Sequence, residues 1–276
     1  MTGKQLLNAL SVDLEDWYEA EAFAHDRRLH ASRVVPVTME VLDLFDEFEA
    51  KATFFVLGHV AELHPNLIKD VAARGHEIGT HGWSHRLLYE MGPDLFAEEL
   101  DRSKKLCEDL SGKAVLGHRA ACWSITNDSL WALDILLERG FAYDSSIFPT
   151  KNFLYGIPDA PRFAHRRENG LLEIPPSTIK LLGRTMPIAG GFFLRALPGW
   201  MMRNGIKKLN ADGEPAVIYT HPWEFDPKQP RDLAISRTDR VIHYWNLRST
   251  MGKFRKLLTE FRFGRMDEVF SELLQS

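Results

Sequence analysis

At 276 residues, with 45% apolar and 26% charged side chains, the chain has the make-up of a globular protein large enough for one sizeable domain with a substantial core, or for two small ones. Its formal net charge of −4 gives no electrostatic case for nucleic acid, which favours a basic face. No run approaches eighteen apolar residues, so no membrane span is expected, and the start Met1-Thr2-Gly3-Lys4 leads into no apolar core or small-residue cleavage site, so the expected location is the cytoplasm.

Strand-like and helix-like segments alternate along the chain. Residues 6–14 read as a strand ending in the acidic cluster Asp13-Leu14-Glu15-Asp16. Val41, Leu42, Leu44, Phe45 and Phe48 recur at helical spacing over 37–48. A short buried strand follows at 52–57, then a helix over 65–74 with Pro65 at its start and Gly75 just past its end. A brief strand over 76–79 leads into a histidine pair. A long amphipathic helix spans 93–110 with Gly112 as its stop, a strand lies at 114–118, and a helix spans 127–139 with a polar N-cap candidate and Gly140 at its end. Further strands are expected at 141–144, 171–174 and 216–220, and closing helices at 248–261 and 266–274. The stretches 151–167 and 185–198 are strand-poor and rich in Pro, Gly and aromatics, as long functional loops are. Strands separated by helices pair in parallel through right-handed crossovers, here with enough units for a closed or nearly closed β/α barrel. The two cysteines, Cys107 and Cys122, form no Cys-x-x-Cys pair and are expected as small buried side chains.

In such barrels the reactive groups sit at the C-terminal ends of strands. Here polar groups recur where apolar runs stop: Asp13, Glu15 and Asp16, then His81 and His85, then Arg119, Asp144 and His221. His81 and His85 are four residues apart. If the chain turns helically after Gly82, both imidazoles share one face and can take one divalent cation. The acidic cluster would add an oxygen ligand and a spare carboxylate. Two histidines and one carboxylate leave a coordination position open, as catalytic zinc sites do. A His-x3-His spacing alone is common and more often has no such role; Gly79 and Gly82 beside the first histidine strengthen the metal reading.

The chain resembles the polysaccharide deacetylases of carbohydrate esterase family four, the NodB-homology fold, and within it the exosortase-associated polysaccharide deacetylases. The resemblance is carried by Ser11-Val12-Asp13-Leu14-Glu15-Asp16-Trp17, by Ala52-Thr53-Phe54-Phe55-Val56-Leu57-Gly58, and by Gly75-His76-Glu77-Ile78-Gly79-Thr80-His81-Gly82-Trp83-Ser84-His85. Gly117-His118-Arg119-Ala120, Tyr143-Asp144-Ser145-Ser146-Ile147-Phe148-Pro149 and Tyr219-Thr220-His221-Pro222-Trp223-Glu224 extend it, and Phe261-Arg262-Phe263 ends it. It implies one catalytic domain over 1–276, a distorted or incomplete (β/α) barrel with a C-terminal helical extension from about 222. It also implies a divalent metal, zinc first, held by His81, His85 and a carboxylate.

By resemblance Asp13 is the base, and the carboxylate ligand is Asp16 or Glu15. The usual Asp identity favours Asp16, and the one-residue-apart pattern found in some members favours Glu15; the reading leans to Asp16. Arg119 would orient Asp13, although the proline that usually follows it is replaced by Ala120-Ala121-Cys122. Asp144 matches the fourth motif loosely and would keep His221 charged, and His221 would be the general acid. Trp83, Trp123 and Trp223 are stacking candidates for a sugar ring. The implied partner is an N-acetylated glycan, an exopolysaccharide or its precursor, from which metal-activated water would release acetate. Two rivals are a hydrolase of a small cyclic amide or ureide on the same fold, and a catalytically inactive glycan-binding module.

Overall fold

A computed structural model describes residues 5–20, 23, 30–152, 155–181, 183–188, 190–231 and 235–275. Expectations that touch residues 1–4, 153–154 and 189, at the chain start and in the two long loops, lie there outside the described residues. The hub of the sheet is β1 (Leu7–Leu14), which pairs in parallel with β2 (Thr53–Val56), and on its other edge with β10 (Val217–Thr220) and β11 (Arg262–Gly264). From β2 the sheet continues through β3 (Glu77–Thr80), β4 (Gly117–His118) and β5 (Tyr143–Asp144) to β7 (Leu172–Glu173), and ends on β6 (His165–Arg166), the one antiparallel partner among them. A separate hairpin joins β8 (Thr178–Leu181) to β9 (Arg184–Pro187). The nine-stranded sheet curls into an incomplete barrel.

Helices fill the crossovers. They are α1 (Val34–Glu47), α2 (Gly58–Leu63), α3 (Pro65–Ala73), α4 (Leu88–Met91), α5 (Pro93–Ser111) and α6 (Trp131–Glu138). The second half adds α7 (Phe192–Ala196), α8 (Gly199–Ala211), α9 (Arg237–Tyr244), α10 (Leu247–Glu260), α11 (Met266–Val269) and α12 (Ser271–Gln275). No helix among the described residues is long and apolar enough to cross a membrane.

Side chains alternate along β1 with period two. Leu10, Val12 and Leu14 pack outward with Val41, Leu42 and Phe45 of α1 in the main core. Ala9 belongs to a second cluster with Phe55, Tyr143, Leu172, Ile174 and Val217, completed by Met266 and Phe270. Ser11 and Asp13 share the face of Ala9. Nearby, Glu77 accepts hydrogen bonds from Tyr143 Oη (2.9 Å) and the amide of Asp267 (3.2 Å), tying the C-terminal segment to the sheet.

Several elements differ from the sequence expectations. The helix expected from Asn127 begins at Trp131, because Ser129 Oγ accepts from the Thr126 amide and donates to the Ser124 carbonyl, consuming the preceding residues in a turn. The expected helix over 266–274 is two short helices, α11 and α12. The stretches expected as loops carry β6, most of β9, and α7. The stretch expected as a helical extension also supplies β11, a full member of the sheet.

Candidate active site

The parallel register aligns strand ends along one edge. Val12 pairs with Thr220 and Phe54, Val56 with Thr80, and Thr80 with His118. Asp13, His81, Arg119 and His221 therefore emerge side by side at the C-terminal rim. They meet at a cleft of about 340 Å³ whose lining includes Asp13, Glu15, His81, His85 and His221.

Glu15 sits two residues beyond Asp13 and so points to the same side. Its Oε2 lies 2.9 Å from His85 Nε2 and 3.9 Å from His81 Nε2. Among the described residues these three buried side chains are the group whose ligand-type atoms lie within 4.8 Å of one another. Ligands held at about 2.1 Å in a tetrahedral arrangement stand roughly 3.4 Å apart, so the spacing suits a shared cation. Two further observations fit such an ion. Glu15 Oε2 is buried and makes no well-aligned hydrogen bond. His81 Nδ1 lies 2.7 Å from the Arg119 carbonyl, so it donates there and leaves Nε2 as the ligand nitrogen. Burial lowers the His81 pKa to about 4, which keeps the ring neutral for ligation. Burial would raise the Glu15 pKa, yet the facing His85, His221 and His81 hold the carboxylate well below its usual range.

The histidines do not share a helix face. Residues 81–87 form a bent loop in which Gly82 (φ 77°) and His85 (φ 54°) adopt left-handed backbone, and this brings the two rings to 5.2 Å between centroids. Asp16, the favoured carboxylate in the sequence reading, points away. Odd spacing from Asp13 turns it to the opposite side, where it accepts from the amides of Trp17 (2.9 Å), Arg33 (3.0 Å) and Val34 (3.2 Å). It thereby caps both the turn Trp17–Glu19 and the start of α1.

Asp13 receives Arg119 Nη1 at 2.6 Å. Arg119 is fully buried and fixed on every side: Nη1 also donates to Ser11 Oγ, Nε to the Ser145 carbonyl and Nη2 to Ser145 Oγ, while its plane lies over Phe55 and Trp123. Arg119 is thus part of the interior and not a surface ion pair. Asp144 lies apart from His221. It bonds His118 Nδ1 (2.7 Å) and Ser146 Oγ (2.7 Å) deep beneath the rim. The carboxylates facing His221 are instead Glu224, Glu15 and Asp13. His221 Nδ1 bonds Glu224 Oε2 at 3.1 Å, and Nε2 is 3.7 Å from Glu15 Oε1 and 3.8 Å from Asp13 Oδ2. Burial works against the charged ring, but Glu15, Glu224 and Asp13 outweigh it and raise the His221 pKa to about 9.

None of the three tryptophans offers a free ring face. Trp83 is absent from the cleft lining; one face covers Gly58, where a Cβ would stand 2.2 Å from the ring, and the Arg102 guanidinium lies 3.4 Å from its centroid. Trp123 lines the cleft as buried wall, stacked on Phe148. Trp223 is 8% exposed and lies between His221 and His243, at 20° and 15° to their planes, and its Nε1 donates to Glu15 Oε1 at 2.9 Å. That hydrogen bond holds the carboxylate of Glu15, a candidate metal ligand. Cys107 is buried as expected, while Cys122 is half-buried in the cleft wall on left-handed backbone. The sequence reading assigned no role to Glu224 or Arg195. Glu224 was findable, since His221-x-x-Glu224 has capping-box spacing and forms that box here. Arg195 had no local signal.

Residues 31–136 match the family model described as polysaccharide deacetylase, and residues 145–271 match one described as a domain of unknown function, DUF3473. A peptidoglycan deacetylase of Helicobacter pylori is 34% identical over 153 residues, covering 52% of this chain and 50% of that protein. A solved Mycobacterium smegmatis structure described as a polysaccharide deacetylase aligns over 98% of this chain and 91% of its own, with TM-score 0.65 and 22% identity. The PuuE allantoinase aligns over 100% of this chain and 93% of its own, with TM-score 0.64 and 14% identity, a likeness of fold. These likenesses place residues 31–136 with the polysaccharide deacetylases in sequence, and the chain as a whole with them in fold. The chain spans between 39% and 64% of the length of the first curated relatives it matches. The site draws on both matched regions and on β1, which precedes them: Asp13 and Glu15 from β1 and its end, His81, His85 and Arg119 from the first region, His221, Glu224 and Arg195 from the second.

Proposed function

We propose that the chain is a metal-dependent N-deacetylase that hydrolyses the acetamido group of an amino sugar within a glycan. The observation that carries this reading is the convergence of a two-histidine, one-carboxylate set with a second carboxylate and a third histidine at one cleft. Glu15, His81 and His85 would hold a divalent cation of the zinc kind. When bound, such an ion supplies Lewis acidity toward the acetyl carbonyl and toward water.

The chain's own residues do the proton work. Asp13, held by Arg119, accepts the proton of the attacking water as its oxygen bonds to the acetyl carbon. His221, 3.8 Å from Asp13 on the other side, donates its proton to the nitrogen as the carbon–nitrogen bond breaks. Acetate and a free amine result. Arg119 fixes the base in place, and Glu15, Glu224 and Asp13 keep His221 cationic, so the acid carries the proton it gives up. Residues 1–276 act as one catalytic unit on this reading, because no single matched region holds both base and acid. The glycan is an exopolysaccharide or its precursor, by the resemblance of the motifs around Asp13, His81 and His221.

The test is acetate release. Zinc-loaded protein incubated with N-acetylglucosamine oligomers should liberate acetate, with a mass loss of one acetyl unit per site, and EDTA should stop it. Turnover of allantoin without acetate release from any acetylated oligosaccharide would favour the cyclic-ureide reading instead. Binding of the oligomers without turnover would favour the inactive module.

A further inference from the structure

We infer that Arg195 is a positioning residue for His221, acting through Glu224, and that this is one contribution of the DUF3473 region to the site. The inference rests on the acid role proposed above for His221. Arg195 lies on α7, is 1% exposed, and is surrounded by acceptors. Its Nε donates to Glu224 Oε1 at 2.7 Å. Its Nη1 donates to three carbonyls of a single turn, those of Ile242 (3.1 Å), His243 (2.9 Å) and Trp245 (2.9 Å). The second oxygen of Glu224 faces the acid, accepting from the His221 amide (3.1 Å), His221 Nδ1 (3.1 Å) and Thr220 Oγ1 (3.2 Å). Glu224 thus has one oxygen fixed by the guanidinium and one that fixes the imidazole. Its pKa, which burial would raise, is lowered to about 2 by His221 and Arg195, so it stays a pure acceptor.

The guanidinium is itself tied down. Lys253 Nζ donates to the carbonyls of Leu194, Arg195 and Leu197, and Asn246 Nδ2 donates to that of Arg195, so the end of α7 is pinned to α10 and the turn before it. Arg195 also lies 5.2 Å from the Trp223 ring, which stacks on His221. A buried Arg–Glu pair is a poor source of net stability, because desolvation offsets most of its attraction. What this pair supplies is direction: a planar fork that holds one carboxylate in one orientation. Three strand- and helix-end segments, 192–196, 220–224 and 242–245, are locked to the ring that faces Asp13. Ile242 and His243, whose carbonyls it holds, also line the cleft.

The experiment compares two acetyl leaving groups on the zinc-loaded full chain. An amine leaves only when protonated; the phenolate of an activated aryl acetate leaves without a proton. Arg195→Lys and Arg195→Met should lower kcat for N-acetylglucosamine oligomers about tenfold to a hundredfold with KM nearly constant, a part of what a general acid contributes. Aryl acetate hydrolysis should fall far less, so the amide-to-ester ratio drops at least about tenfold. Glu224→Gln, close to isosteric, should give the same selective loss and guards against an Arg195 variant that fails to fold. Equal losses on both substrates, or no loss on either, would overturn the inference while leaving the deacetylase reading intact. A wild-type protein that releases no acetate from any amide would sink both.

Discussion

Trp223→Phe isolates a single hydrogen bond beside the candidate metal ligands. Phenylalanine keeps an aromatic plane between His221 and His243, and removes the indole N–H that reaches Glu15 Oε1 at 2.9 Å. A hydrogen bond to a charged acceptor contributes about 1.5–3 kcal/mol, and losing a partner that orients a metal ligand costs roughly tenfold to a hundredfold in affinity. The two figures agree, since about 1.4 kcal/mol is a factor of ten. Zinc affinity measured by competition with a fluorescent chelator should therefore weaken by one to two orders of magnitude. Thermal unfolding of the metal-free protein should show the variant folded. A folded variant with wild-type zinc affinity would refute the assignment of Trp223 as the group that aims Glu15.

Other consequences are as direct. Asp16→Ala should cost about 1–2 kcal/mol in denaturant unfolding, as a lost helix cap does, while zinc stoichiometry stays at the wild-type value. Gly58→Ala should destabilise the fold by about 1–3 kcal/mol, because its Cβ would stand 2.2 Å from the Trp83 ring; a neutral effect in thermal unfolding would contradict the packing described for Trp83. His76 is buried and accepts from the Ala52 amide, and burial lowers its pKa from 6.5 to about 4. The unfolded chain therefore binds a proton below pH 6.5 that the folded chain takes up only near pH 4. Stability should fall by about 3 kcal/mol as pH drops through that window. His76→Gln should flatten this part of the stability–pH curve, and an unchanged slope would exclude His76 as its source.

The parts of the molecule written in short-range pattern could be read from the sequence. Val41, Leu42, Leu44 and Phe45 gave α1, and Pro93 with Gly112 framed α5, because those signals lie within the element itself. The histidine pair was legible as a pair, but not as a loop, since left-handed backbone at His85 is fixed by tertiary contacts rather than by its neighbours. The choice between Glu15 and Asp16 was legible in principle. Period-two alternation continuing past Asp13 puts Glu15 on its side and Asp16 on the other, and this outweighs residue identity. Arg195 was not legible, because its acceptors lie 29 to 50 positions away and converge only once β10 and the α9–α10 turn are in place. α8 and α9 were missed for a simpler reason: Gly199 opens the first and Gly205 interrupts it, and few apolar residues mark the second.

The central claim is that Glu15, His81 and His85 grip one ion. Elemental analysis of zinc-dialysed wild type, Glu15→Gln, His85→Ala and Asp16→Asn, each checked for folding, tests it most directly. Close to one zinc per chain in the wild type and in Asp16→Asn, with strong loss in Glu15→Gln and His85→Ala, is the expected result. Full zinc occupancy in Glu15→Gln with loss in Asp16→Asn, or no stoichiometric metal in any folded form, would contradict it.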